Sequence, residues 1–213
     1  MLSNHRDTIK ELEIFKGCSG DLSDRFMELK THRVRKKEKG AYIGFAGDKL
    51  THVMILLEGT AFTTKVSPEG KEIVIIEKFE KGRTLVPGLI YHQEAVLHVN
   101  IIARTSCTVL YVDRNTFSEI LRWDSTIMMN FIESVSHCVV LLSKRINGLA
   151  LQSLKQRVLE YLNNNRVITD VTWLARVFSV AQPSLSRVLS ELKREGLVER
   201  TIDGIQLTTT KQK

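Results

Sequence analysis

The 213-residue sequence predicts an α+β chain: an N-terminal β jelly-roll, one long helix and a C-terminal winged helix-turn-helix. Three observations carry this. Between Gly40 and Val112, short runs rich in Val, Ile, Thr and aromatics alternate with glycine-centred turns. From Met128 to Leu149 an apolar seam recurs at spacings of 4, 3, 4, 3, 4 and 3. Between 169 and 208 two short amphipathic segments flank a three-residue turn, and an Asp-Gly hairpin signal follows. The expected domains are 1–114, the β-roll; 115–150, a dimerisation helix; and 151–213, the winged helix-turn-helix.

Composition narrows the class. Apolar residues make up 43% and charged residues 26%, as in ordinary globular chains, and 12 Gly with 3 Pro exclude collagen-like or long disordered stretches. No uninterrupted apolar run reaches the roughly 18–20 residues of a membrane span. Met1–Lys10 lacks the apolar core of a secretory signal. Cys18, Cys107 and Cys138 are odd in number and far apart, which speaks against a disulfide framework and for a reducing cytoplasm. The net charge is +7, and residues 151–213 hold 10 basic against 6 acidic side chains, a net +4. So basic a C-terminal part fits an anionic partner such as nucleic acid.

Residues 5–16 and 21–31 show helical spacing, through Leu12 and Phe15, then Leu22, Phe26 and Leu29. The run His32–Lys39 reads as a solvated edge strand, since lysines blunt sheet edges; a phosphate-contacting patch is the second reading. Strands are expected at Ala41–Phe45, Val53–Leu57, Thr60–Val66, Ile73–Lys78, Asn100–Arg104 and Thr108–Val112. The seam of the long helix is Met128, Ile132, Val135, Val139, Leu142, Ile146 and Leu149. A single seam at period 3.5 faces another helix of its kind, so it predicts dimerisation; the alternative is a helix buried within one chain. Ile127, Phe131, Cys138 and Leu141 form a second stripe suited to packing on the roll, and Gly148 is a candidate hinge. Leu151–Leu162 reads as a short amphipathic helix ended by Asn163-Asn164-Asn165.

In the last quarter, Thr169 or Asp170 can cap a helix through Phe178. Ser179-Val180-Ala181 makes a turn. Pro183 then sits in the first turn of a second helix, where its missing N–H is tolerated. That helix buries Leu185, Val188, Leu189 and Leu192 and stops at Gly196. Its other face presents Gln182, Ser184, Ser186, Arg187, Ser190, Lys193 and Arg194 as candidate DNA contacts. Arg can read guanine O6 and N7, Gln can read adenine N6 and N7, and small hydroxyl residues admit phosphates closely. Leu197–Thr201 and Ile205–Thr208 around Asp203-Gly204 form the wing.

In this order of parts, and in the run Ser184–Val198, the chain resembles the Crp/Fnr superfamily, the group of the cyclic-AMP receptor protein and the fumarate-nitrate regulator. Gly40, Gly47, Gly59, Gly70 and Gly82 sit at that family's roll turns. The resemblance implies a cyclic-nucleotide-binding-like roll and a homodimeric transcription regulator on a near-palindromic double-stranded DNA site. It implies that Arg187 takes the place of the guanine-reading arginine, Ser186 that of the neighbouring serine, and Ser184 that of a phosphate contact. Pro183 stands where the family often has a cytosine-reading Glu, and Ala181 where it has a Ser cap, so the half-site differs.

The effector is less defined. Alignment through Ala103-Arg104-Thr105 places Leu97-His98 where the cyclic-nucleotide branch has its phosphate-binding Arg-Ser, and the ribose-binding Glu is also missing. Without those charge-assisted contacts, cyclic AMP is not expected in the usual mode. Gly88, Leu97 and His98 mark the expected effector pocket. An iron–sulfur cluster needs four cysteine ligands and is not expected. Haem stays open, with His92, His98 and Met54 as axial candidates, by a loose resemblance to the hybrid-cluster-protein regulator branch; an effector-free regulator is equally open. RNA polymerase is a further expected partner and a membrane is not. The alternative function is a cyclic-nucleotide-binding regulatory module without a DNA role. An enzyme is not expected, because no nucleophile elbow, phosphate-binding Gly loop, HExxH or CxxC occurs.

Overall fold

The computed structural model describes residues 5–29 and 31–208. The ends of the first and last expected domains, and Lys30, lie outside the described residues. Two short helices, α1 (Arg6–Lys10) and α2 (Gly20–Glu28), flank a 3-10 turn at Glu13–Phe15. The strands that follow are β1 (His32–Lys37), β2 (Tyr42–Gly44), β3 (His52–Glu58), β4 (Ala61–Val66), β5 (Glu72–Val74), β6 (Thr84–Leu85), β7 (Asn100–Ala103) and β8 (Cys107–Asp113). They form two antiparallel sheets ordered β1-β8-β3-β6 and β2-β7-β4-β5. Every expected run falls on a strand. Ile73–Lys78 shortens to β5, and the two-residue β6 carried no visible signal.

Burial explains the strand composition. β3 is buried from Val53 through Leu57 because side chains of both its faces enter one core. That core also takes Ile9 and Phe26 from the N-terminal helices, Phe117 and Ile120 from α3 (Arg114–Ile120), and Ile127 and Phe131 from α4 (Ser125–Leu151). Fully burying a side chain of this size contributes about 1.5–3 kcal/mol. Gly59 turns β3 into β4 at φ +82°, and a Cβ there would collide with the carbonyl of Ser106. β1 ends its sheet and carries Arg33, Arg35, Lys36 and Lys37, as an edge strand should.

His32 opens that strand with its Nε2–H directed at the Phe26 carbonyl, 2.9 Å away, and its ring 4.3 Å from the Phe26 ring. Burial pushes its pKa below the ordinary 6.5, the carbonyl contact opposing in part. The folded protein therefore holds this proton less tightly than the unfolded chain does. The stability tied to the neutral ring is complete above the unfolded pKa and is lost as pH falls below it. We expect thermal melts of His32→Gln to be flatter between pH 7 and pH 5 than those of the parent; an unchanged slope would contradict this.

The long helix α4 divides its faces. Ile127 and Phe131 lie in the core, with Cys138 and Leu141 packed against it, as the second stripe predicts. Val135, expected in the dimerisation seam, packs against that core too, because it sits one turn after Phe131 and one turn before Cys138 on the same face of the helix. Met128, Ile132, Val139, Leu142, Ile146 and Leu149 are exposed, so the helix is not buried within one chain. By length and a mean hydropathy of 1.4 in its best window, α4 passes a test of length and composition for a membrane span that core helices of soluble proteins also pass. Its apolar residues are interleaved with Glu133, His137, Lys144 and Arg145 rather than consecutive, so a run-based reading passes over them.

The chain separates into compact units 1–142 and 143–213, with the boundary inside α4. The reason is that α3 and the first half of α4 pack on the roll. Gly148 is not a break: α4 runs through it to Leu151. The chain is interrupted instead at Gln152-Ser153. There Ser153 starts α5 (Leu154–Asn165) with a reciprocal cap to Gln156. The second unit continues with β9 (Val167–Ile168), α6 (Val171–Phe178), α7 (Gln182–Arg194), β10 (Val198–Thr201) and β11 (Gly204–Leu207). β11 pairs with both β10 and β9, giving a three-stranded sheet rather than a lone hairpin. Ile202-Asp203, not Asp203-Gly204, form the loop, because Thr201 pairs with Gly204. Gly204 is needed for the approach to β9: at φ +135°, a Cβ would strike the Ile168 carbonyl.

Candidate nucleic-acid interface and sensing roll

The two helices of the motif are set by their ends. Asp170 caps α6, its carboxylate accepting from the Trp173 N–H at 2.9 Å. Leu174, Ala175, Val177 and Phe178 bury its inner face. Ser179 then turns the chain with φ +58°. Two arginines that sequence reasoning missed hold this corner. Arg157 on α5 donates to the Phe178 carbonyl at 2.9 Å and lies over the Phe178 ring, and Arg145 on α4 donates to Ser179 Oγ at 2.9 Å. A carbonyl at a helix C-terminus needs such a partner, and a cation suits the negative end of the helix dipole. The only signal in the sequence was an arginine each on two amphipathic helices, with nothing to say what it reached.

α7 begins after Ala181, which supplies no side-chain cap, with Pro183 in its first turn. Leu185, Leu189 and Leu192 are buried and Val188 is half-buried. The structure brings all seven candidate contacts to solvent: Gln182, Ser184, Ser186, Arg187, Ser190, Lys193 and Arg194 are exposed. Ser186, Arg187, Ser190, Glu191 and Arg194 line one open depression. Ser190 donates its hydroxyl proton to the Ser186 carbonyl at 2.9 Å, so toward a ligand it is left as an acceptor. Glu191 and Glu195, which would repel a polyanion, are drawn off by Lys155 of α5, at 3.6 and 2.6 Å. This leaves a face of guanidinium, ammonium, amide and hydroxyl groups.

The roll does not turn the three expected pocket residues to one recess. Leu97 points inward and is 2% exposed, while Gly88 and His98 are exposed. A Cβ on Gly44 would sit 2.7 Å from Leu97 Cδ1, so Leu97 packs tightly against β2. Gly88 lies instead against Val135 of α4. An apolar side chain placed inside is stable only when it fills space, and here it does. Val86 and Ala95, which bracket this segment, take φ +43° and +38°, costly for residues with a Cβ and rarest for a β-branched one. Burial of both side chains holds them there.

The haem candidates do not fit haem. His92 and His98 are exposed, whereas an axial ring must open onto an apolar slot; His92 Nδ1 also accepts from the Glu94 N–H. Met54 is buried in the core of β3. Among the described residues no group of three or more His, Cys, Asp or Glu is placed to hold a metal. Cys107 donates to the Thr60 carbonyl at 3.1 Å, and burial pushes its thiol pKa up.

The profile of the cyclic nucleotide-binding domain matches residues 34–124, the span of the two sheets and α3. No curated protein matches the chain. Among solved structures, the chain is similar to the c-di-GMP-responsive global regulator CLP of Xanthomonas campestris, with 15% identity, TM-score 0.75, and 90% of this chain and 100% of that one covered. It is similar to a mutant of CooA from Carboxydothermus hydrogenoformans, with 20% identity, TM-score 0.73, and 93% and 91% covered. A Crp/Fnr-family transcriptional regulator from Eubacterium rectale gives 15% identity, TM-score 0.66, and 93% and 94% covered. Residues 34–124 thus match the cyclic nucleotide-binding domain, and the chain as a whole has the fold of the Crp/Fnr-type regulators.

Proposed function

We propose that this protein is a sequence-specific DNA-binding transcription regulator, a cytoplasmic homodimer whose two α7 helices enter successive major grooves of a near-palindromic site. The observation that carries it is the exposed polar face of α7, the second helix of a helix-turn-helix followed by a wing, with its buried stripe turned to the unit's interior. Lys193, Arg194 and the hydroxyl residues would position the helix on phosphates, and Arg187 and Gln182 would read bases. The exposed seam on α4 supports pairing of two copies, because isolated soluble chains rarely leave so long an apolar stripe open to water. No catalytic role is assigned to any residue, and RNA polymerase is the partner through which a bound regulator would act.

Leu97 in place of a phosphate-binding arginine supports a roll that has lost the usual cyclic-AMP contacts. Titration with cyclic AMP should then leave the melting temperature unchanged, since a ligand stabilises only the state it binds. The DNA role is tested by selection from a random duplex library with the full chain. Enrichment of a two-fold related sequence is expected; recovery of unselected sequence would reject the reading. Lys193→Gln should weaken binding to all duplexes alike and reduce the slope of log affinity against log salt by about 1. An unaltered slope, measured by anisotropy across a salt series, would remove Lys193 from the phosphate contacts.

A further inference from the structure

Outside the DNA-reading face, the described surface holds a second cluster of cations. Arg33, Arg35 and Lys37 alternate along β1, so their side chains leave one face of the sheet together. Arg33 pairs in register with Tyr111 on β8, and Tyr111 donates its hydroxyl to the Ile43 carbonyl of the facing sheet at 3.4 Å. The cations therefore lie on the face turned toward the second sheet, at the open edge of the roll. With Ile43, His52 and Tyr111 they line one cleft. The core closes the rest of that face: Val109 and Leu56 are fully buried and Met54 nearly so.

The charges in this cleft are poorly compensated. Among the described residues neither Arg33 nor Arg35 has a carboxylate within ion-pair distance, and Lys37 donates only to the Tyr42 carbonyl, at 2.8 Å. The nearby acid, Asp113, is engaged in capping α3 through the Asn115 and Thr116 N–H groups, with His52 beside it. Burial pushes the Tyr111 phenol pKa up, against a smaller opposing pull from Arg35, so it remains a neutral hydrogen-bond group. An edge strand needs charge to deter pairing, but lysines spread on both faces would do that. Three cations converging on one recess with a phenol and an imidazole do something further. They offer several charge-assisted donors to one ligand.

We propose that this cleft is a binding site for a small organic polyphosphate, with Arg33, Arg35 and Lys37 holding the phosphate oxygens and Tyr111 and His52 lining the recess. The spacing favours several phosphates over one. Alternate residues of a strand lie about 6.6–6.8 Å apart, so the three cations span more than a single phosphate can bridge. The concave shape, floored by Ile43 and Tyr111, favours a small molecule over a flat protein surface. The site shares no residue with the 86–98 segment or with α7, and stands whether or not the chain binds DNA.

The test uses the full chain without DNA and inorganic tripolyphosphate as probe, titrated by calorimetry at constant ionic strength. The double variant Arg33→Gln/Arg35→Gln is compared with Lys193→Gln/Arg194→Gln, which removes charge from α7 instead. All four positions are at the surface, and melts without ligand check that both variants fold. The expected result is binding weakened by about tenfold or more in the β1 variant and retained in the α7 variant, since each charge-assisted hydrogen bond removed is worth at least that factor. Equal binding by the β1 variant and the parent overturns the proposal. So does loss only in the α7 variant, which would place the anion on the DNA-reading face. Polyglutamate serves as the third arm. If it binds through Arg33 and Arg35 as tightly as tripolyphosphate does, the cleft is a docking surface for acidic protein and the small-molecule assignment is wrong.

Discussion

Arg187→Ala is expected to weaken binding to the selected DNA site by roughly 1–3 kcal/mol per half-site and to relax preference at one base position only. The expectation follows from placement. Arg187 is exposed one turn into α7, beside Ser186 and Ser190, and the helix behind it is anchored by Leu185 and Leu189. Its planar fork can engage guanine O6 and N7 together, which no other base offers in the major groove. Removing it leaves the fold untouched, since the side chain contributes nothing to the core. A variant that lost affinity evenly across all positions would instead mark Arg187 as a phosphate contact. A variant with unchanged preference would move the reading register along the helix.

Val139→Glu should convert the dimer to monomers. Val139 is 60% exposed at the middle of the seam, between the exposed Ile132 and Leu142. Two copies aligned through this seam would bring two carboxylates together in a desolvated strip. Uncompensated burial of charge costs about 3–5 kcal/mol, enough to dissociate most dimers of this size. DNA affinity should collapse with it, because each monomer then engages one half-site alone. Sedimentation equilibrium reads the first effect directly. A dimer of unchanged stability would show that the pairing surface lies elsewhere, with the exposed stripe left unexplained.

What could be read from the residues alone follows a physical division. Local signals worked where one rule dominates. Runs rich in Val, Ile, Thr and aromatics between glycine-centred turns marked the strands, period 3.5 marked the seam, and Asp170, Pro183 and Gly196 marked the helix ends. The two stripes of α4 separated as their spacing implied, one into the core and one to solvent, except at Val135, which turned to the core. Long-range contacts were not readable. β9 is two residues long, and only pairing with β11 defines it. Arg145 and Arg157 looked like ordinary surface charges until their carbonyl and hydroxyl partners on the α6 corner were in place. Leu97 is a similar case: alignment assigned it a position but not a direction, and packing against Gly44 turned it inward. On β1 the same residues carried two readings, and the register with Tyr111 sets three of the cations on the face turned to the facing sheet.

The most direct test of the central claim is a competition titration of the full chain, at one fixed salt concentration, with its selected duplex against a scrambled duplex of equal length. If paired α7 helices read base edges, the selected duplex should bind at least about a thousandfold more tightly, as specific sites do over random sequence. Equal affinity for the two would mean that the basic face of α7 holds phosphates without reading sequence, and the account would be wrong.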